Sequence, residues 1–209
     1  TLHEALDNPT TNDPNDSLSL SAAAAIKVSQ IVTDQDGDTA SVLSANALTI
    51  SFLDDGPTAA AAVAATESVS VDESNMGGGS ASATILAADI AALFNGSQSY
   101  GEDGAGSVTY ALSATDGAAT GLFLVGADQN VAANEIDLVK ISDTEYRGYT
   151  DGGDNGTAGT KAFTVSISSS TGAVTVTLHE ALDHPITSDP NDSLSLSAAA
   201  AIKVSQIVT

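Results

Sequence analysis

Residues 163–178 read FTVSISSSTGAVTVTL, and this stretch decides the fold class. Apolar and polar side chains alternate with a period of two on both sides of the central SSSTG. Such alternation is typical of strands with one buried face, and a serine- and glycine-rich centre is typical of a turn. The stretch therefore predicts an antiparallel hairpin.

The same alternation predicts further short strands around Tyr110, Leu122 and Leu138. Apolar residues at near-helical spacing between Ile85 and Phe94 predict one short helix. Many short strands with turn residues between them are typical of two packed sheets. The sequence therefore predicts an all-β fold, an antiparallel immunoglobulin-like β-sandwich with Greek-key connections and one short helix.

Two more strands are predicted in the first third of the chain. The even positions from Leu18 to Val28 are all apolar, which predicts a long strand with one buried face. A turn follows at residues 34–38, and alternation between Leu48 and Phe52 predicts a second half-buried strand. We expect these two strands to pair as a hairpin.

A near-exact internal repeat sets the domain organisation. Residues 1–33 return at residues 177–209, so the offset is 176 residues, and only three positions differ. Such a period is the size of one domain, which predicts an array with one domain per repeat. The differences fall in one short stretch, which predicts an exposed loop there. The differing pairs are Asn8 and His184, Thr10 and Ile186, and Asn12 and Ser188.

The segment Asp-Asp-Gly-Pro at residues 54–57 predicts a break between domains, because proline cannot donate to a strand ladder. Residues 1–54 would be the C-terminal part of one repeat and residues 55–66 a linker. Residues 67–209 would then be the body of the next repeat, lacking its last strand. That strand corresponds to residues 39–53, and an open edge in its place favours a strand-swapped dimer.

The charge of the chain excludes two classes of partner. There are 27 acidic and 5 basic residues, for a formal net charge of −22. Nucleic acid and anionic membrane surfaces both attract positive charge, so neither is expected as a partner. The carboxylates could bind divalent cations or could form a solvated acidic surface. The chain has no cysteine, which excludes thiol catalysis, and no apolar run long enough for membrane insertion.

The first candidate metal site is the turn that holds Asp34, Asp36 and Asp38. Three aspartates at alternate positions in a glycine-containing turn can converge on one calcium ion, which takes six to eight oxygen ligands. The turn is not an EF-hand, because its glycine is fourth and Ala45 occupies the twelfth position. The alternative is a solvated hairpin turn, in which Asp-Gly is a favoured pair.

A second candidate collects the carboxylates around the predicted boundary. Calcium bridging them would stiffen the joint between two domains, and the alternative is a charged, flexible linker. Acidic loops at residues 151–156 and 189–192 are interpreted as ordinary turns. The residues of this second candidate are Asp54, Asp55, Asp72, Glu73, Glu102 and Asp103.

Catalytic signals are weak. The histidines are His3, His179 and His184, and two of them occupy the same repeat position. The chain has no metalloprotease-type histidine pair, no nucleophile elbow and no phosphate-binding loop. His179 beside Glu180 is interpreted as a polar pair at a strand end. We therefore predict that the protein is not an enzyme.

Several of these stretches together resemble one family. Residues 32–39, 52–59, 94–110 and 171–185 are similar to the tandem repeats of giant bacterial adhesins exported by type I secretion. The resemblance implies an immunoglobulin-like extender domain of an RTX adhesin, extracellular on the surface of a Gram-negative bacterium. Such domains hold a distal ligand-binding region away from the cell, contact neighbouring repeats and become rigid with calcium. The glycine-rich nonapeptides of RTX proteins are absent from this stretch.

The alternative function is a calcium-dependent ligand- or sugar-binding module of a secreted protein. A solvent-exposed aromatic platform beside an acidic loop would favour it. Tyr146 and Tyr149 near Asp151 are the only candidate pair, and tryptophan is absent. Near-exact repetition favours a role in length over one dedicated binding site.

Overall fold

The computed structural model describes residues 2–4, 6, 16–64, 66–95, 98–102, 104–150, 159–184 and 192–209. The predicted loop at residues 8–12, Asp103 and the acidic loop at residues 151–156 lie outside these ranges. The chain forms two compact units. The smaller comprises Thr1–Thr58 with Tyr100–Ala105, and the larger comprises Ala59–Ser99 with Gly106–Thr209.

The smaller unit holds two antiparallel strand pairs. Its strands are β1 (Ser17–Ser19), β2 (Ser29–Thr33), β3 (Thr39–Leu43) and β4 (Ser51–Leu53). Strands β2 and β3 form a hairpin with Thr33 opposite Thr39, and β1 pairs with β4 around it. A 3-10 helix, Ala22–Ala24, lies between β1 and β2.

The predicted long strand from Leu18 to Val28 is wrong in this unit. The 3-10 helix interrupts it, and neither face of β2 is buried, since Ile31 is 66% exposed and Val32 is 59% exposed. The predicted burial is found only in the second copy of the repeat. There, Leu196 and other apolar residues pack against the hydrophobic core. Alternation predicts which face a strand can bury, but burial needs a body to pack on.

The hairpin predicted for this unit, between the Leu18–Val28 strand and the Leu48–Phe52 strand, is also only partly present. β1 does pair with β4, which includes Phe52, but the hairpin itself is formed by β2 and β3. The Thr39–Leu43 strand was not predicted as a separate strand, although its residues from Thr39 to Val42 alternate between polar and apolar.

The larger unit contains the remaining strands and one short α-helix. Helix α1 (Ala87–Ala92) buries Ile90 and lies within the predicted helical stretch. The strands are β5 (Ala61–Ala62), β6 (Ala81–Ile85), β7 (Phe94–Asn95), β8 (Val108–Ser113), β9 (Ala118–Phe123), β10 (Glu135–Ser142), β11 (Glu145–Thr150), β12 (Lys161–Ile167), β13 (Val174–Leu178) and β14 (Lys203–Val208).

Six of these strands form one antiparallel sheet in the order β6-β13-β12-β11-β10-β9. The predicted hairpin of residues 163–178 is confirmed as β12 and β13, with Phe163 opposite Leu178. Strand β6 adds to the far edge of β13 although the two are distant in sequence. A second sheet pairs β14 with β8, and β5 pairs with β7. The chain therefore passes between sheets after β8 and again after β13.

The core lies between the six-stranded sheet and the β8–β14 pair. Leu112 of β8 is buried together with Ile136 and Leu138 of β10, and both β10 side chains are fully buried. Tyr146 of β11 is also buried, and its hydroxyl donates to the Ala114 carbonyl and accepts from the Ala114 N–H. The all-β antiparallel sandwich with one short helix, predicted from the sequence, is confirmed. None of the helices in the described ranges is long and apolar enough to span a membrane.

The repeated segment supplies an internal test of this packing. Ile202 lies in the second copy and packs against the core, whereas the equivalent Ile26 is 48% exposed within the same local sequence. We expect Ile202→Ala to lower the free energy of unfolding by about 1–3 kcal/mol, because it removes packed apolar surface. Ile26→Ala should change it by less than about 0.5 kcal/mol. Urea unfolding of both variants checks this, and equal losses would contradict the packing difference.

Candidate metal centre

The β2–β3 hairpin positions the three aspartates of the first candidate site. The Asp34 N–H donates to the Asp38 carbonyl (3.0 Å), and the Asp38 N–H donates to the Asp34 Oδ1 (2.9 Å). Gly37 has a φ of 99°, a left-handed conformation that side chains other than glycine rarely adopt. The turn is therefore fixed by its own backbone bonds and by one carboxylate.

The turn brings the carboxylates of Asp34, Asp36 and Asp38 together. One oxygen from each lies within 4.8 Å of the other two, and all three residues are exposed. No other such group of three histidine or acidic side chains occurs among the described residues. Three carboxylate oxygens are hard ligands of the kind that calcium takes, so the donor set fits this ion, with remaining positions open to water.

The carboxyl of Asp34 accepts hydrogen bonds within the turn. Its pKa is lowered, first by the side-chain hydrogen bond with Asp36 and then by the backbone N–H of Asp38. These bonds favour the charged carboxylate. A carboxyl is ionised at neutral pH without this shift, so the lowered pKa extends the charged state of Asp34 to more acidic pH.

The boundary candidates divide between the two units. In the smaller unit the Asp54 Oδ1 accepts a hydrogen bond from the Asp55 N–H (3.0 Å). A Cβ on Gly101 would collide with the Asp55 carbonyl, so the segment that carries Glu102 passes directly against Asp55. Asp54, Asp55 and Glu102 do not form a three-carboxylate group within the described residues, and Asp103 lies outside them. Calcium binding here stays a prediction.

Asp72 and Glu73 belong to the larger unit, and each has a local partner. The Asp72 Oδ1 accepts from the Ser74 hydroxyl (2.6 Å) and the Ser74 N–H (2.9 Å), and the hydroxyl bond is the main cause of its lowered pKa. Glu73 Oε1 accepts from the Leu182 N–H (2.8 Å). These carboxylates hold the 3-10 helix Glu73–Asn75 and connect it to the repeated segment.

Glu73 is also part of a cluster that was not found from the sequence. His184 places its Nε2 3.5 Å from Glu73 Oε1 and its Nδ1 2.7 Å from Asp192 Oδ1. Burial lowers the pKa of His184, but the hydrogen bond and charge of Asp192 and the charge of Glu73 raise it above its ordinary value overall. The available sequence signal was that His184 differs from its counterpart Asn8.

The other histidine of the larger unit has a simpler environment. His179 Nε2 lies 3.0 Å from the Thr164 hydroxyl, across the β12–β13 ladder. Burial is the main cause of its lowered pKa, with Lys161 and Arg147 adding to the effect. This contact is consistent with the interpretation of His179 as a strand-end polar residue.

Residues 68–209 match the family model described as Domain of unknown function (DUF5801), over more than half of the chain. The chain belongs to this family. No curated protein and no solved structure matches it significantly. The DUF5801 match includes every strand from β6 to β14, and the turn that holds Asp34 precedes it.

The aspartate turn, which lies outside the DUF5801 match, can be tested directly. We expect Asp36→Asn and Asp38→Asn each to weaken calcium binding by about tenfold or more, because each removes a charged oxygen ligand. Asp89→Asn is the matched control, since it makes the same charge change on helix α1. Isothermal titration with calcium measures all three. Equal affinity in the turn variants and the control would rule out this turn as the site.

The His184 cluster of the DUF5801 domain predicts a pH dependence. Since the folded pKa is raised, protonated His184 stabilises the fold below the unfolded value of about 6.5, and this stabilisation is lost as pH rises through the folded pKa. His184→Asn introduces the residue present at Asn8. We expect it to cost roughly 1 kcal/mol or less at acidic pH and less above neutrality. Urea unfolding at an acidic pH and at a pH above neutrality, both with chelator, checks this. A loss of unfolding free energy that grows with pH would contradict it.

Proposed function

We propose that this chain is a structural extender repeat of a bacterial cell-surface adhesin. Its task is to project a distal ligand-binding region, and calcium makes it rigid. The observation that carries the proposal is the repeat, in which only three of 33 residues change over an offset of 176. Near-exact copies of one domain multiply length, whereas a dedicated binding site needs only one copy.

The two copies also share one element of local structure. The 3-10 helix Ala22–Ala24 recurs at Ala198–Ala200, which is the same position in the repeat. The residues before them, Ser21 and Ser197, have φ of −61° and −57° and ψ of 156° and 158°. Similar units of this kind support an array in which each repeat adds the same length.

The charge distribution supports a role for cations. A net charge of −22 makes the chain repel itself and its neighbours, which keeps identical domains apart but also loosens them. Calcium at the Asp34 turn would offset part of this charge and fix the β2–β3 hairpin. Divalent binding therefore supplies stiffness, while the remaining acidic surface supplies solubility.

The cellular part of the proposal comes from the resemblance to RTX adhesin repeats. It assigns the chain to the extracellular surface of a Gram-negative bacterium after type I secretion. Its partners are then neighbouring repeats of the same protein. The acidic composition is consistent with this assignment, because it disfavours nucleic acid and anionic lipid as partners.

The alternative of a sugar-binding module gains no specific support. Its aromatic platform required Tyr146 and Tyr149 to face solvent, but these residues are only 1% and 5% exposed. The Tyr146 hydroxyl is bonded to Ala114, and the Tyr149 hydroxyl lies 3.4 Å from Arg147. Both rings are buried within the sandwich and cannot form an exposed platform, so we propose no second function.

Calcium stiffening is tested on the whole chain by calorimetry and small-angle X-ray scattering, with calcium and with chelator. We expect calcium to raise the melting temperature, because a ligand that binds only the folded state stabilises it. We also expect it to change the maximum dimension measured by scattering. The double variant Asp36→Asn/Asp38→Asn should lose the response of both quantities.

The control for charge screening is magnesium at equal ionic strength, since magnesium keeps its water shell more firmly. If chelation altered neither the melting temperature nor the dimensions, calcium stiffening would be wrong. If magnesium or the double variant gave the full response, the effect would come from general screening of the acidic surface.

A further inference from the structure

One loop of the DUF5801 domain belongs to the smaller unit. Residues 100–105 lie inside the family match, yet they form part of the compact unit of Thr1–Thr58 and not of the unit that holds their neighbours on either side. The chain therefore contributes to the smaller unit twice, once through Thr1–Thr58 and once through this loop. The linker predicted over residues 55–66 accounts for only the first of these connections.

Gly101 makes the close approach between the two pieces of the smaller unit. Its φ is 77°, and a Cβ at this position would overlap the Asp55 carbonyl oxygen. The same Cβ would lie 3.0 Å from the Asp55 carbonyl carbon and 3.6 Å from the Gly56 carbonyl carbon. Only a residue without a side chain fits against this backbone. The loop therefore contacts Asp55 through its main chain.

The segment that receives the loop is held by the β1–β4 pair. Strand β4 ends at Leu53, and the Asp54 N–H then donates to the Asp16 carbonyl (3.1 Å). The Asp55 N–H donates to the Asp54 Oδ1 (3.0 Å). These bonds fix the chain immediately before the Asp55 carbonyl. Gly101 therefore meets a positioned surface rather than a free linker.

Gly104, in the same loop, provides a contrast. It also has a left-handed φ, of 105°, but a Cβ placed on it would meet no described atom within 4 Å. Glycine at position 104 therefore serves the bend of the loop alone, whereas glycine at position 101 serves both the bend and the contact. The two positions separate backbone conformation from docking.

Charge opposes this contact. Asp55 and Glu102 are exposed acidic residues on the two pieces of the unit, and like charges repel at short range. The contact is therefore held either by backbone packing against Gly101 or by a cation that offsets the repulsion. Removing the charge of Glu102 separates these causes, because it strengthens a packing contact and weakens a contact mediated by a cation.

We propose that the Tyr100–Ala105 loop is the docking contact through which the DUF5801 domain binds residues 54–58, with Gly101 as the positioning residue. The partner is a main-chain segment of the same polypeptide, and the surface that fits it is a glycine without a Cβ. The connection that follows β4 is then fixed at its start rather than flexible. This inference requires neither calcium nor a role as an extender.

Hydrogen–deuterium exchange at residues 53–58, with chelator present, tests the contact, because neither loop glycine lies in that peptide. We expect Gly101→Ala to speed exchange there by roughly fivefold or more, since the new Cβ forces the loop away from Asp55. Gly104→Ala is the matched control. It imposes the same left-handed strain without the overlap, so it should leave this exchange unchanged. Exchange at residues 163–178 reports whether each variant is folded.

The unsubstituted chain supplies a second measurement that does not depend on the folding of any variant. With chelator present, residues 53–58 and residues 100–105 should both exchange more slowly than in the unfolded chain. Their exchange should also speed up together as urea is raised, because docked segments open as one unit. Glu102→Gln should leave the exchange at residues 53–58 unchanged or slow it, because it removes repulsion.

Four outcomes would overturn the proposal. They are unchanged exchange at residues 53–58 in a folded Gly101→Ala chain, equal acceleration in Gly104→Ala, faster exchange in Glu102→Gln, and loss of protection when calcium is chelated. The last two would assign the contact to a cation instead. Loss of calcium binding at the Asp34 turn would change none of these results, so this proposal and calcium stiffening fail separately.

Discussion

The alternation of backbone hydrogen bonds along a single strand is the constraint on which this structure depends. Strand β14 directs one set of N–H and carbonyl groups to β8, and those bonds attach the repeated segment to the sandwich. Its other set points outward, where the identical β2 bonds to β3. Because the two sets belong to alternate residues, a strand of this sequence can pair with one strand along each of its edges. The repeated sequence therefore bonds along one edge in the first copy and along the other edge in the second.

Burial and charge are separated in the molecule. The apolar side chains of the alternating strands are buried between the sheets, where Ile136, Leu138 and Tyr146 are almost fully buried. Carboxylates collect instead in turns, and the Asp34 turn brings three of them close in full solvent. Other carboxylates bind neighbouring segments, as Glu73 does by accepting a hydrogen bond from the Leu182 N–H and by pairing with His184. An acidic chain can thus keep an apolar interior, although among the described residues one buried oxygen of Asp16 has no hydrogen-bond partner.

The fold class was predictable because period-two alternation and turn residues act over short distances, as residues 163–178 show. The Asp34 turn was predictable for the same reason, since three aspartates at alternate positions needed only a tight hairpin to converge. The pairing of β6 with β13 and the contact of His184 with Glu73 were not, because both join residues that are far apart in sequence. The interruption of the Leu18–Val28 pattern by a 3-10 helix was missed because alanine fits strand, helix and turn alike.

The bend at Ala22–Ala24 has a consequence for how such a chain folds. It has the same form at Ala198–Ala200, where Ala200 is fully buried, and in the first copy, where all three alanines are exposed. Its shape is therefore set by local sequence rather than by the surface beneath it. A segment that is bent before it docks has less chain entropy to lose at docking. The second copy can therefore meet the sandwich with its bend at Ala198–Ala200 already formed.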